Sequence, residues 1–236
     1  MKLGKTHTVL AVSFFLATIP LYGQRAMVGL DVGQTSDKFG GEAPVSGLEL
    51  GLDGRVVILR GGAKEAWPKL VAGGEIRFPT DAGNHSTEYA LFGGPEFRFG
   101  SHFSAGFHVQ LRKILVPPSN LNGAVFNRLN MNLLELPLVM QYRFGNAPRH
   151  PFLEAQISPE FRPHYKVPTS APYTLPDPGF DHGYFIRGTA GYIFGKWYAK
   201  ATYETRYFKF TPAVGNPNQV YNWRTNVVTG GVGLAF

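Results

Sequence analysis

Apolar and polar residues alternate in steps of two along most of this chain. The clearest run is Trp223 to Phe236, WRTNVVTGGVGLAF. One register holds Phe236, Leu234, Val232, Gly230 and Val228. The other holds Ala235, Gly233, Gly231, Thr229, Val227 and Thr225. One face is therefore mostly large and apolar, the other small or weakly polar. A period of two belongs to a β-strand, not to a helix. The same alternation predicts strands near 25–34, 47–59, 70–79, 88–99, 103–114, 130–144, 152–163, 184–194, 197–210 and 223–236. The weak link is the long connection Arg60 to Lys69; if the region 47–79 is misassigned, eight strands replace ten.

The connections alternate in length. Gly100 to His102, Gly145 to Pro151 and Gly195–Lys196 are short. Thr35 to Ser46, Leu115 to Leu129, His164 to Gly183 and Thr211 to Asn222 are longer and rich in Pro, Gly and Asn. Short turns at one end and long loops at the other fit a closed antiparallel up-and-down transmembrane β-barrel, with both termini at the short-turn end. Closure also removes the exposed edge that a chain ending on an apolar strand would otherwise present.

The two faces follow from the period. Leu91, Phe107, Leu111, Leu134, Leu136, Leu138, Met140, Tyr142, Ile186, Tyr192 and Tyr203 share the apolar face and are expected to meet lipid. The opposite face carries an acid-x-Arg motif: Asp53 and Arg55, Glu75 and Arg77, Glu96 and Arg98, Glu160 and Arg162, Glu204 and Arg206. Arg112 and Arg143 follow Gln in softened copies; Glu135, Glu154, Arg187 and Lys200 have the same inward parity. Residues two apart on a strand share a face. An Arg facing lipid at mid-bilayer costs about 2–4 kcal/mol, so these charges are expected to fill the lumen and neutralise one another across the strand ladder. Phe92, Phe152 and Phe185 also have inward parity. In a soluble sandwich the charged face would be the wetted one; the aromatic-rich apolar face and the terminal Phe favour the membrane barrel. Phe99, Phe103, Phe144, Phe194 and Trp197 flank the short turns, with Phe236 at their level, as a membrane-interface girdle would.

Composition narrows the picture. The 236 residues, with 29 Gly, 18 Pro and 14% aromatics, suit one barrel of short strands and turns. Met1 to Gly23 carries Lys2 and Lys5, then an apolar run from Val9 to Ile19. That is the layout of a cleaved secretory signal, leaving 24–236 as the barrel domain. There is no Cys, hence no disulfide framework. Net charge is +7, or +5 once Lys2 and Lys5 are set aside, and it is dispersed along the strands; a nucleic-acid footprint is not expected.

Candidate chemistry is thin. His102 and Ser104 have the spacing of a Ser/His pair but fall beside a short turn. His164, Asp177, Asp181 and His182 share one Pro-rich loop. No HExxH, Cys/His metal spacing or phosphate-binding glycine loop is present, so neither cofactor nor metal is expected.

Leu134-Glu135-Leu136-Pro137-Leu138 running into Tyr142-Arg143-Phe144, with the closing strand ending on Phe236, resembles the outer-membrane β-barrel domain family, the broad porin-like group that includes the PorT-like small barrels. The resemblance implies residence in the bacterial outer membrane. It also implies recognition of Phe236, Leu234 and Val232 by the barrel assembly machinery. It supplies no shared catalytic residues. The expectation is a monomer in outer-membrane lipid, not an enzyme, with a structural role or one of binding an extracellular ligand through loops 115–129, 164–183 and 211–222. A narrow solute channel is the alternative; an outer-membrane enzyme or a secretion-assembly component comes next.

Overall fold

A computed structural model describes residues 26–40, 43–59, 68–80, 86–116, 119–121, 124–126, 129–145, 149–166, 180–210 and 221–236. The expected leader, the connection 60–67 and most of the loops 164–183 and 211–222 lie outside the described residues.

The strands are β1 (Ala26–Phe39), β2 (Val45–Leu59), β3 (Lys69–Pro79), β4 (Thr87–Phe99), β5 (Phe103–Phe107), β6 (Val109–Val116), β7 (Ser119–Leu121), β8 (Ala124–Phe126), β9 (Leu129–Glu135), β10 (Leu138–Arg143), β11 (Arg149–Lys166), β12 (Phe180–Phe194), β13 (Trp197–Phe210) and β14 (Tyr221–Ala235). β5 with β6, and β9 with β10, each form one interrupted stave. The wall therefore has ten staves, each antiparallel to its sequence neighbours, and β1 pairs with β14 to close it. At the seam Ala26 and Phe236 exchange backbone hydrogen bonds of 3.1 and 2.8 Å. Closure satisfies every stave on both sides, which a hydrocarbon surrounding requires.

The expected ten strands are present, and β2 pairs with β3 despite the long connection between them. Several details differ from the sequence reading: β1 runs on through Thr35–Phe39 and β12 begins at Phe180, both within stretches read as loop. The stretch 115–129, read as an open loop, contains the two-stranded hairpin β7–β8. Two staves break, at His108 and at Leu136–Pro137, and the breaks lie side by side. The register pairs Phe107 with Leu138 and Gln110 with Glu135, so the ladder resumes in phase. Proline has no N–H to give. Its carbonyl still accepts from His108 N at 2.9 Å, and the Leu136 N–H turns to the Ser158 hydroxyl at 2.9 Å.

The short turns each carry a glycine at positive φ, Gly100 (67°), Gly145 (112°) and Gly195 (79°), a conformation only glycine adopts freely. Strand Gly73 answers to packing instead: a Cβ there would collide with the Phe92 ring.

The outward face is the expected one. Leu91 is 69% and Leu111 61% exposed, in line with Leu30, Val32, Leu48, Leu138, Ile186, Val228 and Val232. Phe99, Phe103, Phe144, Phe194, Trp197 and Phe236 are all exposed around the short-turn rim, the predicted girdle. Strands of 14 to 18 residues (β1, β11, β13) exceed the 9–11 or so needed to cross hydrocarbon, so the wall rises beyond the membrane.

Candidate functional site

β13 passes through the whole interior and orders it. From the short-turn end its inward residues are Tyr198, Lys200, Thr202, Glu204, Arg206, Phe208 and Phe210. They define three layers.

Nearest the short turns is a polar vestibule. Lys200 Nζ donates to Asp53 at 2.6 Å and pairs with Asp31 at 3.1 Å. Arg55 reaches over the lumen to Glu96 and to Glu154, the latter at 2.9 Å. Lys69 also pairs with Glu96, at 2.7 Å. His108 Nε2 lies 3.2 Å from Glu96, and its ring stacks on Phe92 with centroids 5.4 Å apart. Gln156 and Gln141 donate to Glu154, and Arg143 donates to Gln141. Between these groups lies a cavity of about 110 Å³, bordered by Arg55, Glu154, Gln156, Tyr198 and Lys200.

Above it sits a plug of buried ions. Arg77 donates to both oxygens of Glu204, at 3.0 and 2.8 Å. Arg187 bonds Glu204 at 2.6 Å and Glu75 at 2.9 Å. Arg112 bonds Glu135 at 3.1 Å and Glu88 at 2.7 Å, and pairs with Glu75 at 2.7 Å. Arg206 holds Glu88 at 2.9 Å and Glu204 at 2.9 Å. Phe185 lies among three guanidinium groups, 5.6 to 5.9 Å from its ring centre, as cation–π contacts. Shared, charge-assisted bonds of this kind offset the cost of burying so many ions.

At the long-loop end the lumen becomes apolar. Ile114, Met131, Leu133, Phe208, Phe210 and Trp223 form one buried cluster, with Phe208 stacked on Trp223 at 5.0 Å. Trp223 Nε1 and the Thr225 hydroxyl donate to Asp37 at 3.1 and 2.7 Å beside it.

Most of the predicted inward charges are thus brought together, some across neighbouring strands as expected, such as Arg112 with Glu88 and Glu135 and Arg187 with Glu204. Many bonds span the lumen rather than neighbouring strands: Arg77 to Glu204, Arg187 to Glu75 and Arg55 to Glu154 join staves that do not pair. Arg98 is not in the network. It is exposed at the short-turn rim, where it donates to the carbonyls of Gly100 and Ser101 at 3.0 and 2.9 Å. The Arg162 side chain lies outside the described residues. Glu49, Glu88, Asp31, Asp37 and His108 were missed, though their parity matched the charged face. The apolar layer was missed as well; its signal was that Phe208, Phe210 and Trp223 share parity with Glu204, Arg206 and Thr225.

The described residues of the candidate catalytic pairs stand at the two rims. His102 Nδ1 bonds the Arg143 carbonyl at 3.0 Å and braces the turn. Asp181 and His182 are exposed at the long-loop rim, where Asp181 meets Lys209 at 3.0 Å and His182 at 3.3 Å. Hydrogen bonds from Lys209, then His182, lower the Asp181 carboxyl from its ordinary range. The side chains of His164 and Asp177 lie outside the described residues. Among the described residues no group of His, Cys, Asp and Glu is placed to hold a metal ion.

No family model matches the chain, and no curated protein matches it. Solved structures do resemble it. Neisserial surface protein A is 13% identical, with 89% of this chain and 97% of that one covered and a TM-score of 0.39. The translocator domain of the autotransporter NalP from Neisseria meningitidis is 11% identical, with 98% and 94% covered and a TM-score of 0.43. The outer-membrane protease OmpT from Escherichia coli is 11% identical, with 90% and 96% covered and a TM-score of 0.41. Such distant likeness carries no activity across. The closed wall, the greasy exterior and the charged interior speak for themselves, and by them the chain is a ten-stave β-barrel of the outer-membrane type.

Proposed function

We propose that this protein is a closed, non-conducting barrel of the bacterial outer membrane, whose rigid wall presents its long-loop rim for surface interaction. The carrying observation is the doubly blocked lumen. The ion plug spans the middle, and the Phe208–Trp223 layer blocks the long-loop end. A permeating solute would have to break several charge-assisted bonds and then cross an apolar constriction. Binding residues cluster on loops carried by rigid scaffolds, and β7–β8 gives this rim a structured projection. The outward apolar belt supports lipid as the surrounding partner. The reading includes no catalytic role, no cofactor, no nucleic-acid partner and a monomeric state.

The test is planar-bilayer recording on refolded mature protein. The expected result is no stable openings. Openings altered by Glu204→Gln or Arg77→Gln would replace this reading with the narrow-channel one.

A further inference from the structure

The outward face, apolar over most of its height, carries a group of cations at the long-loop end. Lys38 on β1 and Arg224 on β14 are both exposed and are direct register partners. Arg224 in turn stands opposite Tyr207 on β13, and Tyr207 opposite Tyr184 on β12. One outward row therefore runs Lys38, Arg224, Tyr207, Tyr184. The Arg224 guanidinium lies 5.8 Å from the centre of the Tyr207 ring, and the Tyr184 and Tyr207 rings are 5.6 Å apart. Lys209, further along β13, is held by Asp181 at 3.0 Å. Asp181 is the only exposed acid among the described residues, and it is shared with His182. Lys38 and Arg224 thus have no carboxylate partner among the described residues. Like charges directly opposed on a ladder repel, and their Cβ atoms stand about 4.5–5.5 Å apart. One anion with several acceptor oxygens satisfies both cations at once, and phosphate is such an anion.

The strands set the height of this row. Arg224 is twelve residues from Phe236 along β14, and Tyr207 ten from Trp197 along β13. At a rise of about 3.4 Å per residue and a tilt of about 40°, the row stands about 25–30 Å above the short-turn girdle, which is the height of the apolar band. The cations are therefore level with the lipid headgroups of the outer leaflet.

Below the row the wall is hollowed. A trough of about 580 Å³ lies over Ala155, Gly188, Ala190 and Ala201, between Met140 and Tyr203. A Cβ at Gly188 would meet nothing within 4 Å. The rung Gly230, Ala201, Ala190 lies six residues below the rung Arg224, Tyr207, Tyr184 on the same three staves. That is about 15 Å, half of the hydrocarbon thickness and so the depth that the acyl chains of one leaflet reach.

We infer that this face of the wall seats one phosphorylated glycolipid, the lipid from which the outer leaflet of a bacterial outer membrane is built. Lys38 and Arg224 hold a headgroup phosphate, Tyr207 and Tyr184 border the sugar, and an acyl chain lies in the trough. The inference rests on the outer-membrane reading above. It adds a lipid selected by its phosphate, where an apolar belt alone accepts any lipid.

The test titrates refolded mature protein in dodecyl maltoside micelles with purified lipid A, dephosphorylated lipid A, phosphatidylglycerol or inorganic phosphate, and counts the bound molecules by native mass spectrometry. The expected result is one lipid A per barrel, held at least tenfold more tightly than the other three. Lys38→Gln with Arg224→Gln should weaken lipid A binding at least tenfold. Gly188→Leu, which fills the trough, should weaken it at least threefold. Lys113→Gln removes an exposed cation from β6, on the far side of the wall, and should leave it unchanged. Equal binding of lipid A and any of the other three probes overturns the proposal. So does unchanged affinity in the double variant or in Gly188→Leu. An equal loss in Lys113→Gln also overturns it, because the attraction would then be diffuse. If the double variant does not refold, Arg224→Gln and Gly188→Leu decide it by the same measure. Conduction plays no part in these titrations, so the closed-barrel reading stands or falls separately.

Discussion

Arg77 on β3 and Glu204 on β13 join across the lumen through two parallel hydrogen bonds of 3.0 and 2.8 Å, though their strands stand four staves apart and their positions differ by 127 residues. The bond acts as a strut across the barrel. Arg77 also supplies the nearby cation for Glu49, Nε to Oε1 at 3.6 Å. Removing it strands buried carboxylate, which costs about 3–5 kcal/mol, whereas removing both partners costs less. Arg77→Met should lower the urea midpoint of the refolded barrel sharply. Arg77→Met with Glu204→Met should recover part of the loss. Full additivity of the two single effects would show that the strut carries no coupling.

Leu91 points outward at the middle of β4 and is flanked in register by Gly74 and Leu111. Leu91→Arg should cost about 2–4 kcal/mol, because the guanidinium would sit in hydrocarbon. Ala90→Ser, one residue away but facing inward, should be much milder. Folded fraction on a heat-modifiability gel measures both. Equal effects would mean that the faces are exchanged.

These faces are legible in the sequence alone, because a period of two needs nothing more. Which charges meet is not. Arg55 reaching Glu154, and Arg187 reaching Glu75, depend on the diameter and stagger of the closed wall, and no local pattern encodes either. Arg98 shows the limit at a strand end: its inward parity is overridden by nearby turn carbonyls. Pro137 was visible as a broken ladder bond, but its remedy, Ser158, comes from another stave.

Ser158 accepts from the Leu136 N–H at 2.9 Å and donates to the Pro159 carbonyl at 2.8 Å, and it is wholly buried. Ser158→Ala leaves the amide without an acceptor, a loss of about 1–3 kcal/mol. Ser158→Thr keeps the hydroxyl and should retain more stability than Ser158→Ala. Hydrogen exchange at the Leu136 amide checks the mechanism: the alanine variant should exchange fastest there.

Phe236 closes the wall by exchanging two backbone hydrogen bonds with Ala26, and its exposed ring stands in the short-turn girdle. Deleting it removes one rung of the β1–β14 ladder and one interfacial aromatic. The other thirteen register pairs, Met27–Ala235 through Phe39–Trp223, remain. In vitro, with detergent and no assembly factors, the truncated chain should therefore refold with a modest loss of stability. In cells, where the end of the chain is also expected to be read by the assembly machinery, surface display should drop severalfold. A Phe236→Tyr variant keeps an aromatic ring and should behave like wild type in both settings. The contrast between the two settings separates a structural rung from an assembly signal. Equal loss in both would reduce Phe236 to a rung, and unchanged display in cells would remove its role in delivery.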